Sequence, residues 1–149
     1  PLFYALIAGL SKLGFDPMLT LRSLNLLLTG CGLYACFGLA QHYTKSVFLS
    51  ILATLILFSS SVWIYYANGF TPDPMAVALT LIGLYAFVRF SADESKSAML
   101  ICIFAFTLAS LLRITYAIYP IAIFAHLILN EGKSLLRGKG FLAKKNFML

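Results

Sequence analysis

The chain has 149 residues, of which 61% are hydrophobic and only 11% are charged. Soluble domains carry about 25% charged residues, and a domain of this size cannot hide so much apolar surface from water. The composition therefore excludes a water-soluble globular fold and indicates an integral membrane protein. The net charge of +6 bears on orientation in the membrane, because basic residues gather in cytoplasmic loops.

The first two predicted elements are a short helix and a long one. Residues 1–16 are apolar but too short to cross a bilayer, since a crossing needs about 20 apolar residues. They predict a juxtamembrane or re-entrant helix. Residues 17–40 are long enough to cross. The small residues Gly30, Ala35 and Gly38 along this segment should let a neighbouring helix approach closely.

Two further crossings are predicted in the middle of the chain. A polar turn at residues 41–46 leads into a crossing at residues 47–67, which ends in aromatic residues typical of a membrane interface. The third crossing covers residues 74–90, and the hydrophilic loop 91–96 follows it. Each turn should reverse the direction of the chain across the membrane.

The apolar run at residues 97–129 is too long for one crossing. About 33 residues of helix at 1.5 Å per residue would span about 50 Å, whereas the bilayer core measures about 30 Å. Arg113 lies near the middle of the run. We therefore predict two segments, residues 97–112 and 116–129, with Pro120 as a kink in the second.

These elements predict an all-α fold, a polytopic transmembrane bundle of about five membrane segments plus an N-terminal juxtamembrane helix. Residues 1–149 would form a single transmembrane domain in which the spans occupy residues 17–129. Basic residues are concentrated in the loops of one side and in residues 130–149, which predicts that this segment is cytoplasmic. Asp73 and Arg113 then both face the outer side.

Asp73 is the first candidate site residue. It lies between Pro72 and Pro74, which fix the local backbone and predict a helix that starts near Pro74. The carboxylate can simply cap this helix. It can also be a site residue that binds an acceptor, a metal ion or a developing positive charge. The sequence leaves both interpretations open.

Arg113 is the second candidate, because a charge inside an apolar run is costly and is often functional. A guanidinium matches two phosphate oxygens and could hold a lipid phosphate headgroup. The alternative is an interfacial anchor at a helix end. Thr115 and Tyr116 follow directly and could add hydroxyl contacts, or could merely fill the helix ends.

Tyr66 and Asn68 lie close to Asp73 in sequence and could line a sugar-binding surface. Tyr66 also fits an aromatic belt at the membrane interface. The sequence contains no metal-ligand cluster, phosphate-binding glycine loop or nucleophile triad. It therefore predicts no certain cofactor and leaves open whether a divalent metal is needed.

Four segments, in this order, resemble motifs of one enzyme family: PLFY at 1–4, LRSLN at 21–25, YYANGFTPDP at 65–74 and LLRIT at 111–115. They are similar to motifs of the polyprenyl-phosphate-sugar-dependent glycosyltransferases of the GT-C class. This class includes the dolichyl-phosphate-mannose-protein mannosyltransferases and aminoarabinose transferases, as in glycosyltransferase family 39. Arg113 stands where the family usually has a lysine, which keeps the charge but changes the phosphate geometry.

The resemblance implies transfer of a hexose or pentose from a polyprenyl-phosphate donor to an acceptor hydroxyl on the outer face of the membrane. Asp73 would correspond to a second acidic position on the acceptor side. Arg113, with Thr115, Asn68 and Tyr66, would bind substrate. The family's catalytic base is an aspartate in a loop expected before Pro1, so we expect the chain to be an internal fragment that is inactive alone.

The implied partners are the lipid-linked sugar donor, a glycan, lipid or protein acceptor, and membrane lipids, with no nucleic acid. Composition and loop style favour a multi-pass protein of the bacterial inner membrane over one of the endoplasmic reticulum. Two other classes stay open: a transporter or flippase subunit, and a membrane protein without a catalytic site. The gathering of polar residues near the predicted outer ends favours a site at the surface, whereas transporters often place such residues near mid-membrane.

Overall fold

A computed structural model describes residues 2–12, 14, 16–60, 72–93 and 95–136. All regular secondary structure in these ranges is helical, which confirms the all-α prediction. The α-helices are α1 (Leu2–Lys12), α2 (Pro17–Thr44), α3 (Val47–Phe58), α4 (Asp73–Asp93), α5 (Lys96–Leu112) and α6 (Ile118–Leu136), and a 3₁₀ helix, Ile114–Ala117, separates the last two.

Helix α4 is the centre of the bundle. Its most extensive contacts are with α5 and then with α2, whereas α3 packs chiefly against α2. Pro74 lies in the first turn of α4, as predicted, because proline costs no intrahelical hydrogen bond at that position. It is also buried. The buried side chains of α4 are mostly small or aliphatic, which allows helices to approach from two sides.

A closely packed seam joins α2 to α4. The buried positions of α2 recur every three or four residues and so form one face; they are Leu21, Asn25, Thr29, Gly32 and Ala35. A Cβ added to Gly32 would lie 2.8 Å from the Cα of Ala78. The close-approach prediction holds for Ala35, which is buried, and for Gly38, which lies against the ring of Tyr85. For Gly30 it is wrong, because that residue is exposed with nothing near its Cβ position.

A second seam joins α4 to α5. Gly83 faces the ring of Phe106, and a Cβ added there would come within 3.0 Å of that ring. Ala86, Cys102 and Phe106 form a buried apolar cluster one turn further along α4. Close packing on both seams fixes α4 between its two neighbours.

The turn between α2 and α3 is shorter than predicted. Helix α2 continues to Thr44, whose hydroxyl donates to the carbonyl of Ala40 at 2.7 Å. Lys45 then adopts a left-handed conformation with φ 54° and donates its N–H to the carbonyl of Gln41. The Ser46 hydroxyl caps α3 by accepting from the N–H of Leu49. Hydroxyl groups therefore satisfy the backbone on both sides of this turn.

The break predicted at Arg113 is present. Arg113 is extended, with φ −151° and ψ 117°, and its N–H closes the last turn of α5 by donating to Ala109. Pro120 was predicted as a kink, but it falls in the first turn of α6, where it breaks no hydrogen bond. Helix α6 continues past the predicted end at residue 129, to Leu136.

Helices α2 and α4 are each long and apolar enough to cross a bilayer. Helices α3 and α5 are apolar but shorter. The count of five membrane segments therefore stays a prediction, as does the assignment of residues 130–149 to the cytoplasm. The second half of the predicted crossing at residues 47–67 lies mainly outside the described residues.

Candidate functional site

The candidate site is at the end of the bundle where α2 and α4 begin and α5 ends. Leu21 of α2 and Met75 of α4 are buried against each other there, and Leu112 of α5 packs on them. Only two residues separate α4 from α5, so the two helices form a hairpin. The start of α4 and the end of α5 therefore meet at one end.

Asp73 lies in the first turn of α4 on this end. The turn is closed by the N–H of Ala76, which donates to the carbonyl of Pro72 at 3.0 Å. The Asp73 side chain is 22% exposed, and its carboxylate lies at the positive end of the α4 helix dipole. The backbone and the packing of Met75 therefore hold this carboxylate in a defined place.

Arg113 is forty positions further along the chain and forms an ion pair with Asp73, with Nη1 donating to Oδ1. The Arg113 side chain is 51% exposed. An ion pair this accessible to solvent contributes about 1 kcal/mol or less to stability. The contact therefore does more to place the two charged groups than to hold the bundle together.

The segment after Arg113 brings aromatic rings to the same place. The Tyr116 N–H donates to the carbonyl of Arg113 at 3.0 Å, and its ring stacks on Tyr119, with centroids 6.1 Å apart and an angle of 26° between the planes. The Tyr116 phenol can donate a hydrogen bond.

The structure thus brings together three of the residues considered from sequence, Asp73, Arg113 and Tyr116. Thr115 is exposed in the 3₁₀ helix beside them. Asn68 and Tyr66 lie outside the described residues. Sequence reasoning missed Tyr119, although its spacing of three from Tyr116 is the spacing of neighbours on a helix surface.

In the part of the chain that the structure describes, no group of three or more His, Cys, Asp or Glu side chains is arranged to hold a metal ion. The charged pair that the described residues form at this end is one carboxylate, Asp73, and one guanidinium, Arg113. Their chemistry suits a phosphate and a hydroxyl group, because a guanidinium donates to phosphate oxygens and a carboxylate accepts from a hydroxyl.

An apolar groove lies between the two helices of the same hairpin. It has a volume of about 420 Å³ and is lined by Leu79, Ile82, Leu100, Ile101, Phe104 and Ala105. Its α5 residues Phe104 and Ala105 precede Arg113 by nine and eight positions, which is about 12–14 Å at 1.5 Å per residue. The hairpin of α4 and α5 therefore carries both the apolar groove and, at one end, the charged pair of Asp73 and Arg113.

Comparison with known families decides the class of protein. Residues 1–145 match the model of the family described as dolichyl-phosphate-mannose-protein mannosyltransferase. The chain belongs to this family. No curated protein and no solved structure matches it significantly. As a member of the mannosyltransferase family it is a membrane protein, and its activity is in general that of a glycosyltransferase.

Proposed function

We propose that this mannosyltransferase family member transfers a sugar from a polyprenyl-phosphate donor to a hydroxyl group of a glycan, lipid or protein at the outer face of a bacterial inner membrane. The observation that carries the proposal is the hairpin of α4 and α5, which ends in the Asp73–Arg113 pair and has an apolar groove between its two helices. A lipid phosphate has the same two parts, an anionic head and an apolar chain.

Arg113 binds the donor phosphate in this proposal. Its side chain is half exposed, so phosphate oxygens can reach it, and guanidinium–phosphate hydrogen bonds are charge-assisted and geometrically specific. The isoprenoid chain lies in the groove between α4 and α5. Thr115 and Tyr116 are close enough along the chain to add hydroxyl contacts. In this proposal Asn68 and Tyr66 contribute to sugar binding.

The reaction forms a bond between the acceptor oxygen and the anomeric carbon of the sugar. The bond from that carbon to the phosphate oxygen breaks, and its electron pair leaves with the polyprenyl phosphate. The acceptor proton goes to a carboxylate base. Arg113 stabilises the negative charge that grows on the leaving phosphate. The second oxygen of Asp73 accepts a hydrogen bond from the acceptor.

The test uses the full-length protein in vesicles that contain a labelled polyprenyl-phosphate sugar, with mannose as the first sugar and other hexoses and pentoses after it. Transfer releases polyprenyl phosphate and moves the label to an added acceptor. A flippase would instead move the intact lipid-linked sugar to the other leaflet. Leaflet exchange without cleavage, for every sugar offered, would contradict the proposal.

Filling the groove should weaken donor binding. Ile101 lines the groove, and we expect Ile101→Trp to raise the KM for the lipid-linked donor by about tenfold, or about 1.4 kcal/mol, because the indole occupies the space of the chain. Ile103→Trp is the matched control. Ile103 is as exposed as Ile101, 52% against 51%, but does not line the groove. Equal KM values for the two variants would exclude the groove as the chain site.

A further inference from the structure

We propose that Asp73 is a positioning residue, which orients the guanidinium of Arg113 for the donor phosphate. The inference rests on the proposed function and deepens it, since it concerns how the phosphate site is built. It starts from the ion pair between Asp73 Oδ1 and Arg113 Nη1, which links the first turn of α4 to the residue after α5.

The two partners differ in how firmly they are held. Arg113 is an extended residue between two helices, and its long side chain is half exposed. Such a side chain has many accessible rotamers, and ordering it has a large entropic cost. Asp73 is less exposed and belongs to a closed helical turn whose next two residues, Pro74 and Met75, are buried. The carboxylate is therefore the fixed partner, and Arg113 is the one that is oriented.

The geometry of the contact leaves the guanidinium able to bind. A guanidinium carries five N–H donors in a planar fork, and Asp73 engages Nη1. The Nε–H and the Nη2 amino group form a pair of parallel donors that matches two oxygens of a phosphate. Holding Nη1 restricts the orientations that the fork can adopt. Asp73 thus helps to bind the phosphate without touching it.

A purely electrostatic view makes the opposite prediction. A carboxylate close to a bound phosphate repels it, so removing the negative charge of Asp73 should tighten phosphate binding if the carboxylate does nothing else. If Asp73 positions Arg113, removing the charge should weaken binding, because the guanidinium loses its orientation. The sign of the change therefore separates the two roles.

The experiment measures the Kd of a polyprenyl phosphate without sugar for the full-length protein in lipid nanodiscs, so that no acceptor is involved. We expect Asp73→Asn to raise the Kd by about tenfold and Asp73→Glu to restore part of the affinity. Asp93→Asn is the matched control. It removes the same charge from the other end of α4, where Asp93 pairs with exposed Arg89 at 3.7 Å, and it should leave the Kd unchanged.

A double-mutant cycle provides the second readout. Because Asp73 acts through Arg113, Asp73→Asn should cause no further loss in an Arg113→Ala background. An additive loss, or an Asp73→Asn variant that binds as tightly as the wild type or more tightly, would overturn the positioning role. That result is distinct from a failure of the proposed function, in which the wild type does not bind polyprenyl phosphate or Arg113→Ala binds it equally well.

Discussion

Replacing Arg113 by alanine in the full-length protein is expected to lower the rate of sugar transfer by about 10²–10³, the loss typical of removing one donor that stabilises a developing oxyanion. The negative charge on the phosphate increases as the bond to the sugar breaks. Arg113 meets that charge at the end of the α4–α5 hairpin, where it is half exposed. The measurement is kcat and KM with a labelled polyprenyl-phosphate sugar at matched protein levels in the membrane.

Two further variants sharpen this result. Arg113→Lys keeps the charge but has no planar fork of donors, so we expect an intermediate loss. Arg89→Ala is the control, since Arg89 is also an exposed arginine in an ion pair, at the other end of α4. Normal transfer by Arg113→Ala, at a normal membrane level, would assign Arg113 to interfacial anchoring and would leave the phosphate site without its cation.

The second large effect is expected at Gly32. Its Cβ position lies 2.8 Å from both the Cα and the Cβ of Ala78. The nearest atoms include backbone, so a methyl group there can be accommodated only by moving α2 away from α4. We expect Gly32→Ala to destabilise the protein by about 1–3 kcal/mol, as overpacking of a tight interior does. Thermal unfolding in detergent, followed by loss of the monodisperse peak, measures the change.

Two other glycines of α2 serve as comparisons for Gly32→Ala. Gly30→Ala should be neutral or slightly stabilising, because nothing lies within 4 Å of its Cβ position and alanine favours helix. Gly38→Ala should cost less than Gly32→Ala although its nearest contact is shorter, at 2.5 Å. That contact is the far edge of the Tyr85 ring, which can rotate away. A Gly32→Ala variant as stable as Gly30→Ala would contradict the close seam.

The features that were predictable from sequence depend on local chemistry. The start of α4 follows from Pro72 and Pro74, which act on their own backbone. The break after α5 follows from Arg113, because a charge is costly inside an apolar helix. Each of these sequence patterns is contained within a few neighbouring residues, so it can be interpreted without the tertiary structure.

The features that were missed depend on which faces of the helices meet. Choosing Gly30 instead of Gly32 is an error of two positions, which is about 200° around a helix, and only the position of α4 shows which glycine faces it. The ion pair between Asp73 and Arg113 spans forty positions. The sequence placed both residues at one surface, but their contact requires the hairpin. The stack of Tyr116 on Tyr119 likewise depends on a helix that begins at Ile118.

The seam between α2 and α4 determines which substitutions the chain can tolerate. Within a bilayer, lipid chains are as apolar as the side chains, so helices associate through close contact and not through exclusion of water. Dispersion attraction falls off within about an ångström beyond contact. The seam therefore restricts the size of a substituted side chain more strictly than its polarity. At Gly32 and Ala35, on the α4-facing side of α2, substitutions are restricted to small residues. The exposed apolar positions of α3, such as Phe48 and Ile56, can vary among all membrane-compatible residues.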